Sequence, residues 1–366
     1  MYLFYPSRDR NLLSLLTYAE NEQINEREGL IPLSYSKRFF YSFLCLLFTA
    51  SLFLTACSGS NTAGTTSEKH NTSGEKDQVL KIGYQKNGPL VILKSLGTLE
   101  KRLKTEGFKV EWKEFTAGPA LLEALNVGSI DFGRTGDSPP IFAQAAGAPF
   151  VYVAAGKTKF KGSAVLVPQN SQIKTLKDLK GKKIGFAKGS SSHYLIVKAL
   201  EKAGISYDQI EPHFLQPGDG RVAFEKGNID AWVVWDPFTA DTELNSKARV
   251  LVNGKGLSTD RDFFLANNDF AKKHRDIIDI VLEEIRESSE WANSHHKELA
   301  ATLSPLLKID EKSLLLSAER REYGIDPLTD DIIKEQQEIA DTYVKLKIIP
   351  KKITVKDVVD KGRGSE

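Results

Sequence analysis

Two stretches of the chain repeat one pattern of apolar and polar positions, about 100 residues apart. Each begins as a short strand of alternating apolar and polar residues, ends in a turn, and continues with a helical period. The strands are Lys81–Lys86 and Lys183–Lys188, and the helices that follow them are Leu90–Leu103 and Ser191–Ala203. The pattern predicts two copies of a strand-turn-helix unit.

A second repeated pattern marks the end of a later helix and the start of the strand that follows it. Ala124–Asp131 and Ala223–Asp230 share alanine, glycine and aspartate at matching positions. The glycine can adopt the left-handed conformation that ends a helix, and the Ile-Asp pair then begins a strand. Each of these strands ends at an aspartate close to a proline, Asp137 and Asp236, which suits the N-cap of a further helix.

This duplication predicts an α/β protein with two similar lobes, each built on mostly parallel strands. The C-terminal ends of the strands and the N-termini of the helices should face a crevice between the lobes, where a ligand would bind. After Ala271 the chain becomes helical, most clearly at Asp276–Ala292 and Asp331–Leu346. We expect this part to return to the first lobe.

The lobe boundaries follow from the places where the chain should cross the crevice. We expect these crossings near Lys161–Ser163 and Gly256–Phe264. The first lobe is then predicted to comprise residues 79–162 with 264–366, and the second lobe residues 163–263. The two crossings would act as a hinge on which the lobes close over a ligand.

A basic pair, an apolar run and a cysteine follow one another near the N-terminus, in the order of a bacterial secretion signal. Lys37 and Arg38 precede Phe39–Leu54, and Cys57 follows two small residues later. The run is shorter than the roughly 20 residues that span a membrane, so we expect cleavage. The alternative is a buried helix that ends in a chance cysteine.

Leu54-Thr55-Ala56-Cys57 resembles the lipobox of bacterial lipoproteins. The resemblance implies cleavage before Cys57 and lipid on its thiol, which would hold the protein on the extracytoplasmic face of the cell membrane. Residues 37–56 are then the signal, and the Ser-, Thr-, Asn- and Gly-rich residues 57–78 are a flexible tether. Because signals start close to their basic region, we expect residues 1–36 to be a non-native or upstream extension.

Charge and cysteine content argue against several functions. Lys and Arg total 50 and Asp and Glu total 48, and the net charge of +2 comes without a large basic block. Nucleic-acid binding therefore has no electrostatic support. The two cysteines are Cys45, in the signal, and Cys57. We expect the mature chain to have no disulfide, metal site, thiol nucleophile or cofactor.

Gly189-Ser190-Ser191-Ser192 follows a predicted strand and opens a helix. Glycine allows close backbone approach, the helix start has free N–H groups, and the hydroxyls add donors. A simple helix cap is the alternative, but the position at the crevice favours an anion site that needs no lysine. Gln85 occupies the matching region of the first lobe and could donate to the same anion.

The sequence offers five further charged or titratable residues for the crevice. Asp137 and Asp236 are expected to line the crevice as helix caps, because a bare carboxylate would repel an anion. His193 is expected to cap the helix or to support the site from behind. Arg320 and Arg321 could supply a cation, although an exposed helical pair is the favoured interpretation.

Two tryptophans border the second-lobe strand that ends at Asp236. We expect Trp232 and Trp235 to lie together on one face of that strand. The pattern leaves two alternatives open for them: packing in the core, or an apolar wall beside the alkyl part of a ligand.

Several longer strings resemble the aliphatic sulfonate-binding proteins of bacterial ABC importers. The strings are Gly83–Lys86, Phe115–Pro119, Glu123–Asp131, Thr135–Asp137, Pro139–Ala145, Lys188–His193, Asp230–Trp232 and Trp235–Pro237. The resemblance covers Val79 to Lys352 and implies a type II periplasmic-binding-protein fold. It also implies a cleft lined by Gln85, Gly136, Asp137, Ser190, Ser191, Ser192, Trp235 and Asp236. The chain departs most from this family after Ser304, which bears on any contact from Arg321.

The function implied by the resemblance is binding without catalysis. The protein would bind an aliphatic sulfonate and deliver it to an ABC permease with its ATPase subunit, and we expect it to be monomeric. Related proteins take taurine, nitrate or thiamine precursors, and taurine is the nearest alternative because Asp137 or Asp236 could pair with its ammonium. A pyrimidine-synthesising enzyme of this fold would need cysteines that the mature chain lacks. A DNA-binding regulator would need a further domain where the signal lies.

Overall fold

The structure is a computed structural model that describes residues 78–360 and 362 of the chain. The predictions on the extension 1–36, the signal 37–56 and the tether up to residue 77 lie outside the described residues, and so does Cys57. These predictions therefore rest on the sequence alone.

The described strands form a six-stranded sheet and a five-stranded sheet. The first sheet contains β1 (Gln78–Tyr84), β2 (Phe108–Glu114), β3 (Phe132–Thr135), β4 (Phe150–Gly156), β10 (Phe263–Asn267) and β11 (Ile325–Asp326). Its strand order is β11-β4-β10-β3-β1-β2. The second sheet contains β5 (Ser163–Pro168), β6 (Lys183–Phe186), β7 (Glu211–Phe214), β8 (Ala231–Trp235) and β9 (Ala248–Asn253), in the order β7-β6-β8-β5-β9.

Three neighbouring strands at one side of each sheet are parallel to one another, and the strand that follows a chain crossing is antiparallel to them. Strand β1 is parallel to β2 and β3, and β6 is parallel to β7 and β8. Strand β10, which follows one crossing, runs antiparallel to β3 and β4, while β5, which follows the other, runs antiparallel to β8 and β9. The two sheets thus follow the same plan.

Helices cover both sheets. Those with the first sheet are α1 (Pro89–Leu96), α2 (Thr98–Thr105), α3 (Gly118–Asn126), α4 (Ser138–Ala146), α8 (Asn268–Lys273), α9 (Arg275–Ser294), α10 (His296–Leu307), α11 (Glu311–Glu319) and α12 (Asp330–Lys345). Those with the second sheet are α5 (Ser191–Ala203), α6 (Pro217–Glu225) and α7 (Phe238–Asn245). Short 3-10 helices span Leu176–Leu179, Tyr207–Gln209 and Val355–Val358. We call the first sheet with its helices the first lobe, and the second sheet with its helices the second lobe.

The C-terminal helices pack against the first sheet. Buried residues of α9, α10 and α11 share an apolar cluster with β1 and β10, and those of α12 share one with β4. The predicted lobe boundaries stay predictions. In the structure Ser163 is the first residue of β5, and Phe263 is the first residue of β10.

The duplicated pattern makes the same backbone connection in each lobe. The amide N–H of Lys81 donates to Oδ2 of Asp131 over 2.8 Å, and that of Lys183 donates to Oδ2 of Asp230 over 2.8 Å. Each aspartate N–H in turn donates to the carbonyl of the same lysine, again over 2.8 Å. The Ile-Asp pair therefore fixes where two neighbouring parallel strands begin.

A glycine in the first strand of each repeat allows the isoleucine before that aspartate to pack on the strand. A Cβ on Gly83 would lie 2.5 Å from Cδ1 of Ile130, and one on Gly185 would lie 2.4 Å from Cδ1 of Ile229. Any larger residue would push the isoleucine out of a buried position. The Gly in both strand patterns is thus explained by packing.

The predicted helices are partly right. The helix at Ser191–Ala203 is confirmed residue for residue. The prediction of one helix over Leu90–Leu103 is wrong, because the chain forms α1 and α2 with a break at Gly97, whose φ is 64°. The apolar period runs across that break and so conceals it.

The two crossing segments, residues 157–162 and 254–262, lie side by side and are hydrogen bonded to each other. The N–H of Lys159 donates to the carbonyl of Thr259 over 3.1 Å, and the N–H of Gly254 donates to the carbonyl of Phe160 over 2.8 Å. The connection between the lobes is therefore a pair of segments that support each other, which suits a hinge.

Candidate functional site

A small cavity lies between the lobes where the parallel strands end. Its lining residues are Gln85, Asn87, Gly118, Arg134, Gly136 and Pro139 from the first lobe, Lys159 from a crossing segment, and Ser190, Ser191 and Trp235 from the second lobe. Its volume is about 20 Å³, which is room for one water-sized sphere. The lobes are therefore closed around it.

The serine segment lies at this cavity, but its three hydroxyls have different surroundings. Ser190 and Ser191 line the cavity, whereas Ser192 does not, although its buried Oγ has no hydrogen-bond partner among the described residues. The Ser190 hydroxyl donates to the carbonyl of Ala187 over 2.7 Å. Ser191 and Ser192 are the first residues of α5, so the helix has no carbonyl that could accept a hydrogen bond from their backbone N–H groups.

Gly136 lets the two lobes approach each other at the serine segment. A Cβ at this position would lie 2.1 Å from Oγ of Ser191. The glycine is therefore needed because only a residue without a side chain allows this close contact across the crevice. The Ser191 hydroxyl also favours the charged form of the carboxyl group of Asp137 and so lowers its pKa.

Asp137 lies behind the cavity wall and does not line it. It stands at the N-cap position of α4, but its side chain makes no capping hydrogen bond, so the expected capping role is wrong. The carboxyl group instead accepts from the hydroxyls of Ser138, over 2.9 Å, and Ser258, over 3.5 Å. Burial and the nearby charge of Asp260 raise the pKa of Asp137 to about 6, although Lys159 and the hydroxyls of Ser191 and Ser138 oppose the shift.

Asp236, in contrast, accepts a hydrogen bond from the first turn of a helix. Its Oδ1 accepts from the N–H of Ala240, in the first turn of α7, over 2.9 Å, so the expected capping contact is confirmed. The residue does not line the anion cavity and lies at a neighbouring one. Burial raises the pKa of Asp236 to about 7, although the charge of Arg320 opposes the shift.

Two cationic side chains that the sequence patterns did not single out line the cavity. Nη2 of Arg134, on β3, is paired with Asp262, and Nζ of Lys159 lies 2.5 Å from Oδ1 of Asp260 and 3.4 Å from Oδ1 of Asp262. Nε of Arg134 is buried and has no partner among the described residues. The expectation of an anion site without a nearby cation is therefore wrong.

The sequence around Arg134 indicates a buried ion pair, whereas nothing in the sequence distinguishes Lys159. Arg134 is the charged residue of the short strand Phe132–Thr135, which is buried throughout. A charge inside such a strand is costly unless it is paired, so it marks a buried ion pair. Lys159 stands in a loop close to other lysines, where nothing in the pattern distinguishes it.

Arg320 and Arg321 are not the exposed helical pair that the sequence favoured. Arg321 follows the end of α11, has a side chain that is 7% exposed, and donates through Nη2 to Oδ2 of Asp262 over 2.9 Å. Arg320 pairs with Asp236 at 3.4 Å and with Glu243. Neither lines the anion cavity, so Arg321 supports the site through Asp262.

The two tryptophans have separate positions. Trp235, at the end of β8, lines the cavity, whereas Trp232 is packed in the core against Phe224 and the backbone of Gly220. The expectation that both lie on one face of the strand is wrong, because residues three apart on a strand point to opposite sides.

His193 supports the serine segment from behind. Its Nδ1 accepts the N–H of Gly189 over 3.3 Å, its Nε2 lies 3.0 Å from the hydroxyl of Tyr207, and its ring stacks on Phe186 at 5.0 Å between centroids. Burial, together with the charge of Lys188, lowers the pKa of His193 to about 4. The imidazole is therefore neutral near pH 7, so Nδ1 remains an acceptor for the loop.

Gln85 is the remaining predicted residue and lies at the cavity, where it is buried. The cavity thus brings together Gln85, Gly136, Ser190, Ser191 and Trp235. It leaves Asp137, Gly189, Ser192 and Asp236 just outside the wall. Within the described residues no group of three or more His, Cys, Asp or Glu side chains is arranged to hold a metal ion.

Comparisons with known proteins give consistent results. A protein-family model described as "NMT1/THI5 like" matches residues 103–299. The chain is 42% identical over 281 residues to a protein of Escherichia coli (strain K12) named "Putative aliphatic sulfonates-binding protein", covering 76% of this chain and 88% of that protein. A protein of the same name from Bacillus subtilis (strain 168) is 37% identical over 321 residues, covering 86% and 93%.

A solved structure has the same architecture. The alkanesulfonate-binding protein SsuA from Xanthomonas axonopodis pv. citri, bound to MOPS, superposes with a TM-score of 0.75 at 38% identity, covering 78% of this chain and 98% of that chain. The predicted fold class, a two-lobed α/β protein of the type II periplasmic-binding-protein fold, is confirmed.

The role of His193 can be tested by exchanging its acceptor atom. His193→Ala leaves the Gly189 N–H without a partner, which should lower the free energy of unfolding by about 1–3 kcal/mol. His193→Asn places an oxygen near Nδ1 and should restore the loop contact. We expect amide hydrogen exchange at Gly189 to be slow in the wild type and in H193N and fast in H193A. Equal protection in all three would contradict a positioning role.

Proposed function

Because the chain belongs to the NMT1/THI5-like family and, within it, to the aliphatic sulfonate-binding proteins, we propose that it binds an aliphatic sulfonate for an ABC importer. It works as an extracytoplasmic substrate-binding protein and is not an enzyme. Its partners are the permease and the ATPase subunit of the importer, and it functions as a monomer.

The main support for this proposal is that the N-terminus of α5 and two cationic side chains lie at the same closed cavity. Ser191 supplies a hydroxyl and a free backbone N–H there, and the helix dipole adds positive potential. Arg134 and Lys159 line the same cavity. A sulfonate group has one charge and three acceptor oxygens, so converging neutral and charged donors suit it.

The surrounding charges favour a ligand with a single negative charge. Lys159 is paired with Asp260, and Arg134 with Asp262, which also pairs with Arg321. The cations of the cavity are therefore largely neutralised before a ligand binds. A doubly charged anion would remain undercompensated in this buried place, which is costly.

Ligand binding requires the lobes to open and close again. In the closed arrangement the Asn87 side chain of the first lobe donates to the carbonyl of Asp236 in the second over 3.1 Å, and Arg320 contacts Asp236 and Glu243. These contacts are polar and exchangeable with water, whereas ring contacts of His193 and Tyr194 with Tyr343 also join the lobes. Opening on the paired crossings breaks both kinds of contact, and the lobes close again when a sulfonate completes the cavity.

We further propose that the protein is held at the cell membrane by lipid on Cys57, with residues 57–77 as the tether, since Gln78 already belongs to β1. The support is the basic, apolar and small-residue order before Cys57. Among the described residues, no helix is both long and apolar enough to cross a bilayer. A diacylated cysteine would hold the folded part close to the permease.

The ligand class can be tested by titration calorimetry of residues 57–366 with a panel of anions. We expect simple alkanesulfonates to bind, and taurine, nitrate and sulfate to bind more weakly. Taurine is the informative alternative, because a carboxylate such as Asp236 could pair with its ammonium. Tighter binding of taurine or nitrate than of every alkanesulfonate would overturn the proposed ligand.

Two neighbouring serines provide a matched pair of variants. Ser191→Ala removes a hydroxyl at the cavity and should weaken binding of ethanesulfonate by about 1–3 kcal/mol. Ser192→Ala removes a hydroxyl that does not line the cavity and should leave the affinity unchanged while preserving the same backbone donors. Calorimetry on both variants checks this expectation. Equal effects of the two changes would place the anion elsewhere.

Binding should depend on pH through Asp137, whose pKa is raised to about 6. Below that pH the carboxyl group is mostly neutral, so it no longer repels a sulfonate. Affinity for ethanesulfonate should therefore rise as the pH falls from 8 to 5, by up to about tenfold. Asp137→Asn should bind with little pH dependence. An unchanged slope in D137N would assign the effect to another group.

The lipid anchor is tested by Cys57→Ala in cells. We expect the variant to appear in the soluble extracytoplasmic or medium fraction, while the wild type stays with membranes and incorporates labelled fatty acid. Fatty-acid labelling of C57A equal to that of the wild type would contradict lipid attachment at this residue. Sulfonate binding by the released variant would show that the folded part is intact.

A further inference from the structure

Tyr343, on α12, is fully buried, and its hydroxyl begins a chain of hydrogen bonds that ends at Asp137. The hydroxyl donates to Oγ of Ser138 over 2.9 Å, and Oγ of Ser138 donates to Oδ1 of Asp137 over 2.9 Å. Because Ser138 accepts from Tyr343, its own proton is free for the carboxyl group, and bonds in such a series strengthen one another. Tyr343 therefore orients the Ser138 hydroxyl towards Asp137.

The same helix holds Asp137 at a second point. Gln336 is buried and lies two helical turns before Tyr343, on the same face of α12. Its Nε2 donates to the backbone carbonyl of Asp137 over 2.5 Å and to the hydroxyl of Tyr152 over 3.0 Å. Contacts from α12 thus fix both the backbone and the carboxyl group of a residue that stands behind the wall of the anion cavity.

Other elements also present charged and titratable groups to Asp137. Lys159 and Asp260, in the two crossing segments, act on its carboxyl group by charge in opposite senses. Burial raises the pKa of three tyrosines on β4, α5 and α12, which therefore stay neutral near pH 7: Tyr152, Tyr194 and Tyr343. Three hydroxyls complete the surroundings, those of Ser138, Ser191 and Ser258. The hydrogen bond from Ser138 favours the charged carboxylate.

We propose that Tyr343 is a positioning residue of the anion site: by orienting the Ser138 hydroxyl it keeps Asp137 charged near pH 7, and so lowers the affinity for a sulfonate. The inference rests on the proposed function, since it requires the anion at the N-terminus of α5. Repulsion by a carboxylate is twice as strong for a doubly charged anion. The hydrogen bonds from α12 therefore add to the preference for a ligand with a single negative charge.

Tyr343→Phe removes the hydroxyl and keeps the ring, which lies 5.1 Å from the ring of Phe142 and 5.5 Å from that of His193. The Ser138 proton is then no longer directed to the carboxyl group, so we expect the pKa of Asp137 to rise by about half to one pH unit. An NMR titration of the Asp137 carboxyl carbon in the unliganded protein measures this change. An unchanged pKa in Y343F would overturn the proposal.

Calorimetry with ethanesulfonate at pH 5 and pH 7 then measures the effect on binding. At pH 7 we expect Y343F to bind about threefold more tightly than the wild type, because more of Asp137 is neutral. At pH 5 the affinities should be equal, because the carboxyl group is mostly neutral in both proteins. A loss of affinity at both pH values, as a merely structural contact would give, would overturn the proposal.

The two measurements separate this inference from the proposed function. Failure of ethanesulfonate to bind to either protein at either pH would overturn the proposed function, and the effect on affinity with it. The NMR titration needs no ligand, so it still decides whether Tyr343 acts on Asp137.

Tyr152→Phe is the matched control, since it removes a buried tyrosine hydroxyl that is bonded to Gln336 instead of Ser138. It should leave the pKa of Asp137 unchanged. Ser138→Ala should raise that pKa, and adding Y343F to S138A should change it no further, because Tyr343 acts through Ser138. Thermal unfolding verifies that each variant is folded. Equal effects of Y343F and Y152F, or additive effects of Y343F and S138A, would overturn the proposal.

Discussion

The buried carboxylate of Asp262 is the interaction on which the rest of the site depends. It pairs with Arg134 on β3, with Lys159 in one crossing segment at 3.4 Å, and with Arg321 after α11 at 2.9 Å. Burial alone would raise the pKa of Asp262, but these charges hold it well below its usual value. Removing one partner of such a group leaves a buried charge uncompensated, typically at a cost of about 3–5 kcal/mol. The cluster therefore fixes the hinge and the floor of the cavity together.

The same ion cluster explains how a cavity lined by two cations can suit a ligand with a single negative charge. Because Arg134 and Lys159 are balanced by Asp262 and Asp260, they act mainly as oriented donors. The N-terminus of α5 adds backbone donors and the helix dipole without adding a formal charge. Asp137 lies next to these groups with its pKa close to neutrality. Protonation of Asp137 therefore changes the net charge of the site by one unit.

The parts of the fold that depend on local pattern could be predicted from the sequence. The repeated Ile-Asp pair predicted two matching strand starts, and the helix at Ser191–Ala203 was predicted to the residue. The break at Gly97 was hidden because the apolar period continues through it. The ion cluster was missed for a different reason. Arg134 and Asp262 lie 128 residues apart in sequence, and Lys159 and Asp260 lie 101 apart, so no local pattern connects them. Hydroxyl roles in the serine segment also depend on neighbours from the other lobe, such as Gly136.

In the proposed complex a sulfonate binds between the start of α5 and the Arg134–Asp262 pair. A crystal structure of residues 57–366 with ethanesulfonate would locate the ligand. We expect sulfonate oxygens within hydrogen-bond distance of the backbone N–H groups of Ser191 and Ser192 and of the Ser191 hydroxyl. A sulfonate held in another part of the crevice, with these N–H groups facing only protein or water, would rule out this binding mode.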